Sequence, residues 1–160
     1  MPQNLKRSGI LRGNFLLAEN EFDVAVIGAG IGGGAMATVL AKAGMKVLLV
    51  EKSAEHRDVV RGEWLAPWGV LEANELGLTP LYMAAGAHRV DEHGSYSDIH
   101  DSTEIVDLTA MVQERRLCLG HPRTCDLLNQ AALDAGAVFL RGVKKLQVAA
   151  GQPPSLEFVH

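Results

Sequence analysis

The chain has 160 residues, 48% of them apolar and 21% charged, the make-up of an ordinary folded domain and not of a disordered segment. Its formal net charge of −4 is spread without a basic block, which argues against a nucleic-acid partner held through its phosphates; the pair Arg115-Arg116 does not change that. Cys118 and Cys125 have six residues between them, a spacing that suits neither a C-x-x-C redox pair nor a zinc site, so they read as reduced structural thiols in a cytoplasmic protein.

Residues 1–21 read as a loose N-terminal extension, because Arg12 interrupts the apolar patch that a signal peptide would need. Val24 to Ala41 is 18 residues without a charge. Five glycines in it, and a change from a β-branched run to helical spacing, exclude the simple spanning helix, and no membrane span is expected. The stretch DVAVIGAGIGGGAMATVLAKAGMKVLLVEKS instead reads as strand, glycine turn, helix, strand. Val24 to Ile27 has the pattern of a fully buried strand. Ile31, Ala35, Met36, Val39, Leu40 and Ala43 recur at helical spacing, Gly44 supplies the helix stop, and Val47 to Val50 is the second buried strand.

Gly28, Gly30 and Gly33 form a G-x-G-x-x-G fingerprint in the correct frame, directly after the first strand. Gly28 lets the chain turn off the strand, Gly30 removes a Cβ that would block a pyrophosphate, and Gly33 allows close packing of helix on strand. The helix start then offers unpaired N–H groups and the positive end of its dipole to an anion. Seventeen residues separate Gly33 from Glu51, which is placed to accept hydrogen bonds from ribose hydroxyls and to repel a 2′-phosphate, so an NADP site here is disfavoured. The expected binding set at this turn is Gly28, Ala29, Gly30, Ile31, Gly33, Glu51 and Lys52. The motif by itself does not choose between FAD and NAD, and the fold it implies is a doubly wound, Rossmann-like α/β sheet.

The next stretch, VVRGEWLAPWGVLEANELGL, gives Arg61-Gly62-Glu63 and then a helix with Pro67 near its start and Gly77 past its end. Trp64 and Trp68, four apart, read as a packing face of that helix. In HRVDEHGSYSDIHDSTE the residues His88, His93 and His100 match no metal-ligand spacing, so the segment reads as a solvated hairpin and no metal is expected. HPRTCDLLNQAALDAGAVFLRGVKKLQV reads as a helix and strand, with Leu127, Leu128, Ala131, Ala132 and Ala135 as the buried face, Pro122 near its start and Gly136 at its stop. No nucleophile elbow is present, and no catalytic residue is assigned.

Together these stretches resemble the N-terminal FAD-binding part of FAD-dependent monooxygenases of the p-hydroxybenzoate hydroxylase type. The likeness rests on the acid-ended second strand, the following Arg61, the L-x-P of Leu65 and Pro67, the L-G-L of Leu76 to Leu78, and a helix beginning near Arg123 that is similar to the family's Arg-x-x-L helix, with Leu127 one position later. The resemblance implies FAD as cofactor, Arg61 close to it, Arg123 beside its pyrophosphate and ribityl chain, and backbone contacts to adenine near Val143. It also implies NADH or NADPH as transient reductant, with oxygen and a small organic substrate bound in a further domain. It covers residues 22–160, so the expected organisation is an extension and a partly β FAD-binding domain that stops before the substrate domain. The family's later Asp-Gly and Gly-Asp motifs would lie past His160, and the chain alone is expected to be inactive. Flavin-dependent halogenases and prenyl reductases share this N-terminal half, and a non-catalytic nucleotide-binding module is the remaining alternative. Nothing in the sequence bears on oligomeric state.

Overall fold

The computed structural model of the chain describes residues 22–59, 63–97, 99, 102–107 and 114–160. The expected N-terminal extension, His100 and Arg61 lie outside the described residues. In chain order the elements are β1 (Val24–Ile27), α1 (Ile31–Lys42), β2 (Val47–Glu51), β3 (Trp64–Leu65), α2 (Pro67–Glu75), α3 (Thr79–Ala84), β4 (His88–Val90), β5 (Glu92–Ser97) and β6 (Ser102–Asp107). After these come β7 (Arg116–Cys118), α4 (His121–Asp134), β8 (Val138–Arg141), β9 (Lys144–Ala149) and β10 (Ser155–Val159). Two compact units divide the chain: residues 1–58 with 125–160, and residues 59–124.

The first unit is built on a parallel sheet of order β1-β2-β8, in register Val24↔Val47 and Leu48↔Val138. Side chains alternate across a strand, so central β2 serves two cores at once. Val47 and Leu49 pack with Ala29, Ala37, Ala41, Ala132 and Ala137 on one face. Leu48 and Val50 pack on the other with Phe22, Val143 and Leu156, the last of these from the β9–β10 hairpin. The Val47 to Val50 expectation holds on both faces.

Two expectations for this unit need correction. Val24 to Ile27 is only partly buried and Ile27 is 54% exposed, because β1 is an outer strand of this sheet and not an inner one. The buried face of α1 is Gly34, Ala37, Thr38 and Ala41, whereas Met36 is 56% exposed. Close packing rotates the helix toward its small residues: a Cβ on Gly34 would lie 2.9 Å from both Leu128 Cβ and Asn129 Oδ1 of α4. The Thr38 hydroxyl sits in the same contact, 2.8 Å from the carbonyls of Gly34 and Leu128. Thr38→Val keeps the shape but removes this donor, and is expected to lower the urea unfolding free energy by about 1 to 2 kcal/mol with an unchanged m-value.

The helix stops are those the glycines predict. Gly44 has φ +84, and the chain closes with Met45 N–H on the Leu40 carbonyl at 3.1 Å. Gly136 plays the same part at φ +96.

The second unit holds an antiparallel sheet of order β3-β7-β4, the β5–β6 hairpin, α2 and α3. Pro67 is at the first turn of α2 and Gly77 follows it at φ +66. The expected solvated hairpin is present as β5–β6, paired Glu92↔Asp107 through Ser97↔Ser102. The tryptophan expectation is overturned. Trp64 belongs to β3 and is 46% exposed, while Trp68 belongs to α2 and is 68% exposed, so they share no helix face. The strand ends at Leu65 and the helix begins at Pro67 between them, and the Arg116 guanidinium carbon lies over Trp64, 4.2 Å from the centre of the indole ring. Among the described residues no helix is long and apolar enough to cross a membrane, and none of their His, Cys, Asp and Glu groups could hold a metal ion.

Candidate functional site

Because β1, β2 and β8 are parallel, their carboxyl ends share one edge of the sheet, where open α/β sheets bind ligands. β1 runs there into Gly28, β2 ends in Glu51 and β8 ends in Arg141, paired Glu51↔Arg141. Gly28 adopts φ +98, and its N–H donates to the Val50 carbonyl at 2.8 Å, which turns the chain off the strand.

The other two fingerprint glycines differ in what they face. A Cβ on Gly33 would stand 1.8 Å from the Gly28 carbonyl oxygen, so the fold itself requires glycine there. A Cβ on Gly30 would meet nothing within 4 Å, and its φ −70, ψ −172 suits any residue. Gly30 thus keeps open the space at the start of α1, whose first turn carries no acidic side chain. Ile31 opens that turn.

Glu51 braces the same turn. Its Oε2 accepts from the buried Ala29 N–H at 2.8 Å and its Oε1 from the Ser53 N–H at 2.9 Å. Burial alone would raise this carboxyl. The Ala29 and Ser53 N–H groups, the Ser53 hydroxyl and nearby His56 outweigh burial and hold Glu51 below its ordinary value of 4.5. A depressed carboxylate stabilises the fold above its unfolded-state value and loses that contribution as pH falls through the folded one. The unfolding free energy of the wild type is therefore expected to drop below pH 4.5, and to drop less steeply in Glu51→Gln, as read from urea midpoints along a pH series.

Beside the carboxylate lies a cavity of about 240 Å³ lined by Ile27, Gly28, Val50, Glu51, Lys52, Val143 and Leu146. Val143 is fixed by its N–H on the Glu51 carbonyl at 3.0 Å, which joins the β8–β9 connection to the end of β2. Beyond Glu51 the chain is tied down by Arg141. Its guanidinium donates to the Ala54 carbonyl at 3.3 Å and to Asp126 Oδ1 at 2.6 Å, and lies 3.1 Å from His56 Nδ1.

Of the residues expected from the sequence, Gly28, Glu51, Lys52 and Val143 line one cavity, and Ala29, Gly30, Ile31 and Gly33 form the turn and helix start beside it. Arg123 is an exposed residue in the first turn of α4, in the second unit, and Arg61 is outside the described residues. Sequence reasoning missed Ile27, Val50, Leu146, Ser53 and Asn129. Asn129 carried a visible signal, a polar residue between Cys125, Leu128 and Ala132 on the apolar face of α4.

Comparison with known proteins agrees with this geometry. The family model for an FAD binding domain matches residues 21–149. Squalene monooxygenase SE2 of Panax ginseng is 38% identical over 82 residues, which is 51% of this chain. Squalene monooxygenase of Rattus norvegicus is 30% identical over 139 residues, 86% of the chain. PqsL of P. aeruginosa superposes with a TM-score of 0.67 over 81% of the chain, and at 20% identity this shows a shared fold. The chain spans 15% and 21% of those two monooxygenases and 35% of the PqsL chain.

Proposed function

Because the chain belongs to the FAD-binding domain family, we propose that the edge formed by Gly28, Glu51 and Val143 holds the adenosine and pyrophosphate half of FAD. The observation that carries this reading is the convergence of the start of α1, the Glu51 carboxylate and the cavity at one edge of the sheet; the glycines agree with it, since packing requires glycine at Gly33 while Gly30, an extended N-cap position facing open space, leaves room for a ligand. The N–H groups of Gly30 and Ile31 at the start of α1 take the pyrophosphate. Each Glu51 oxygen has a lone pair beyond the one its backbone partner uses, so the ribose hydroxyls bind without breaking the turn. Val50, Val143 and Leu146 supply an apolar bed for adenine, and Lys52 a cation at the rim.

The size is consistent with part of the cofactor. About 240 Å³ is below the roughly 300 to 1,000 Å³ of sites that enclose a whole drug-sized ligand. FAD supplies the redox chemistry when bound, and this chain's residues bind and orient it. For the whole protein we propose oxygenation of a small organic substrate, held by a further domain, with NADH or NADPH as reductant. The squalene monooxygenase relatives favour monooxygenation over halogenation or prenyl reduction. Cys118 and Cys125, neither of them in a disulfide, support a reducing, cytoplasmic setting. To check the reading, the chain is incubated with FAD and passed through a desalting column. A yellow protein fraction with flavin absorbance is expected; a colourless protein that still binds ADP would replace the reading with that of a nucleotide-binding module.

A further inference from the structure

Asn129 is 2% exposed in α4, on a helix face otherwise made of apolar and small residues. Its Nδ2 donates to the Ala29 carbonyl at 3.0 Å, across 100 positions of sequence. Only the NH2 end of a carboxamide can bond a carbonyl, so its Oδ1 faces the other way. There it has no hydrogen-bond partner among the described residues.

A buried acceptor without a partner is a cost to the fold. A leucine, like Leu127 and Leu128 beside it, would remove that unpaired oxygen but leave the buried Ala29 carbonyl without its donor, so the role of the asparagine is read from what it touches. Ala29 is held at both ends, by Glu51 on its N–H and by Asn129 on its carbonyl. The Ala29 carbonyl and the Gly30 N–H belong to one planar peptide group and point in opposite directions. Fixing the carbonyl toward α4 therefore fixes the Gly30 N–H away from it.

We infer that Asn129 is a positioning residue, which holds the Ala29–Gly30 peptide so that the Gly30 N–H is aimed at the pyrophosphate. The inference rests on the proposed dinucleotide site, and it predicts a loss confined to ligands that carry a diphosphate. ADP carries one and adenosine does not. Binding of both to the full chain is followed by amide NMR shifts, with thermal unfolding measured in parallel.

For Asn129→Leu the expected result is a little-changed Tm, since one unpaired buried acceptor replaces another, an affinity for ADP about tenfold lower, and adenosine binding within about twofold of wild type. Asn129→Asp, which sets an acceptor against the Ala29 carbonyl, should show the same split. Should the leucine variant not fold, Asn129→Ser, too short to reach Ala29 yet leaving the site polar, carries the comparison. Equal losses for the two ligands, no loss for either, or unfolding of both the leucine and serine variants would overturn the inference and leave Asn129 as a fold residue. If wild type binds neither ligand, the site reading itself fails.

Discussion

Gly33→Ala is expected to unfold the β1–α1 region, whereas Gly30→Ala is expected to keep the fold and lose the dinucleotide. The two residues are three apart in one motif, and both substitutions add one methyl group. At Gly33 that methyl would overlap the Gly28 carbonyl oxygen at 1.8 Å, a backbone atom that cannot turn aside, and Val26 Cγ1 closes the space at 3.4 Å. The strand and helix must separate, at a cost of about 3 kcal/mol or more. At Gly30 the methyl meets no atom within 4 Å and the backbone is extended. Stability should change by less than about 0.5 kcal/mol, or rise slightly as the unfolded chain loses freedom. The methyl then occupies the space assigned to the pyrophosphate, and FAD affinity should fall at least about tenfold. Urea unfolding and FAD titration on both variants separate the two effects. A Gly30→Ala protein that binds FAD as wild type does would place the diphosphate elsewhere.

Glu51→Ala should weaken FAD by about 1 to 3 kcal/mol, the value of hydrogen bonds to a charged group, and leave FMN unchanged. Only FAD carries the adenosine ribose. The substitution also strips the Ala29 and Ser53 N–H groups of their acceptor, so binding must be measured well below the unfolding temperature of the variant. Glu51→Gln, which can still accept at one oxygen, should fall between the two. Equal losses for FAD and FMN, measured by fluorescence titration, would remove Glu51 from the cofactor site.

The part of this site legible in the sequence is the part that depends on backbone conformation. Gly28, Gly44, Gly77 and Gly136 all take positive φ, a constraint that acts on a single residue and leaves a glycine in the sequence. The buried run of β2 was equally readable, because a central parallel strand is apolar on both faces. What depends on partners far along the chain was not. The face of α1 is set by how closely α4 approaches Gly34 and Thr38, and periodicity favoured the larger Met36. Ile27 reads as core by composition, yet its exposure follows from the place of β1 in the sheet order. For the tryptophans, a four-residue spacing says nothing of the change from strand to helix between Leu65 and Pro67. Asn129 and Leu146 reach the site only through packing of α4 and β9 onto the sheet.

The central claim is that this chain grips FAD by its adenosine diphosphate half. Its most direct measurement is displacement of FAD from the chain by ADP and by FMN, followed by flavin fluorescence. ADP should displace FAD competitively and completely, and FMN, which lacks the adenosine, only at far higher concentration. Displacement by FMN with no effect of ADP would contradict the account, since the grip would then lie on the flavin end and not on Gly30, Glu51 and the cavity beside them.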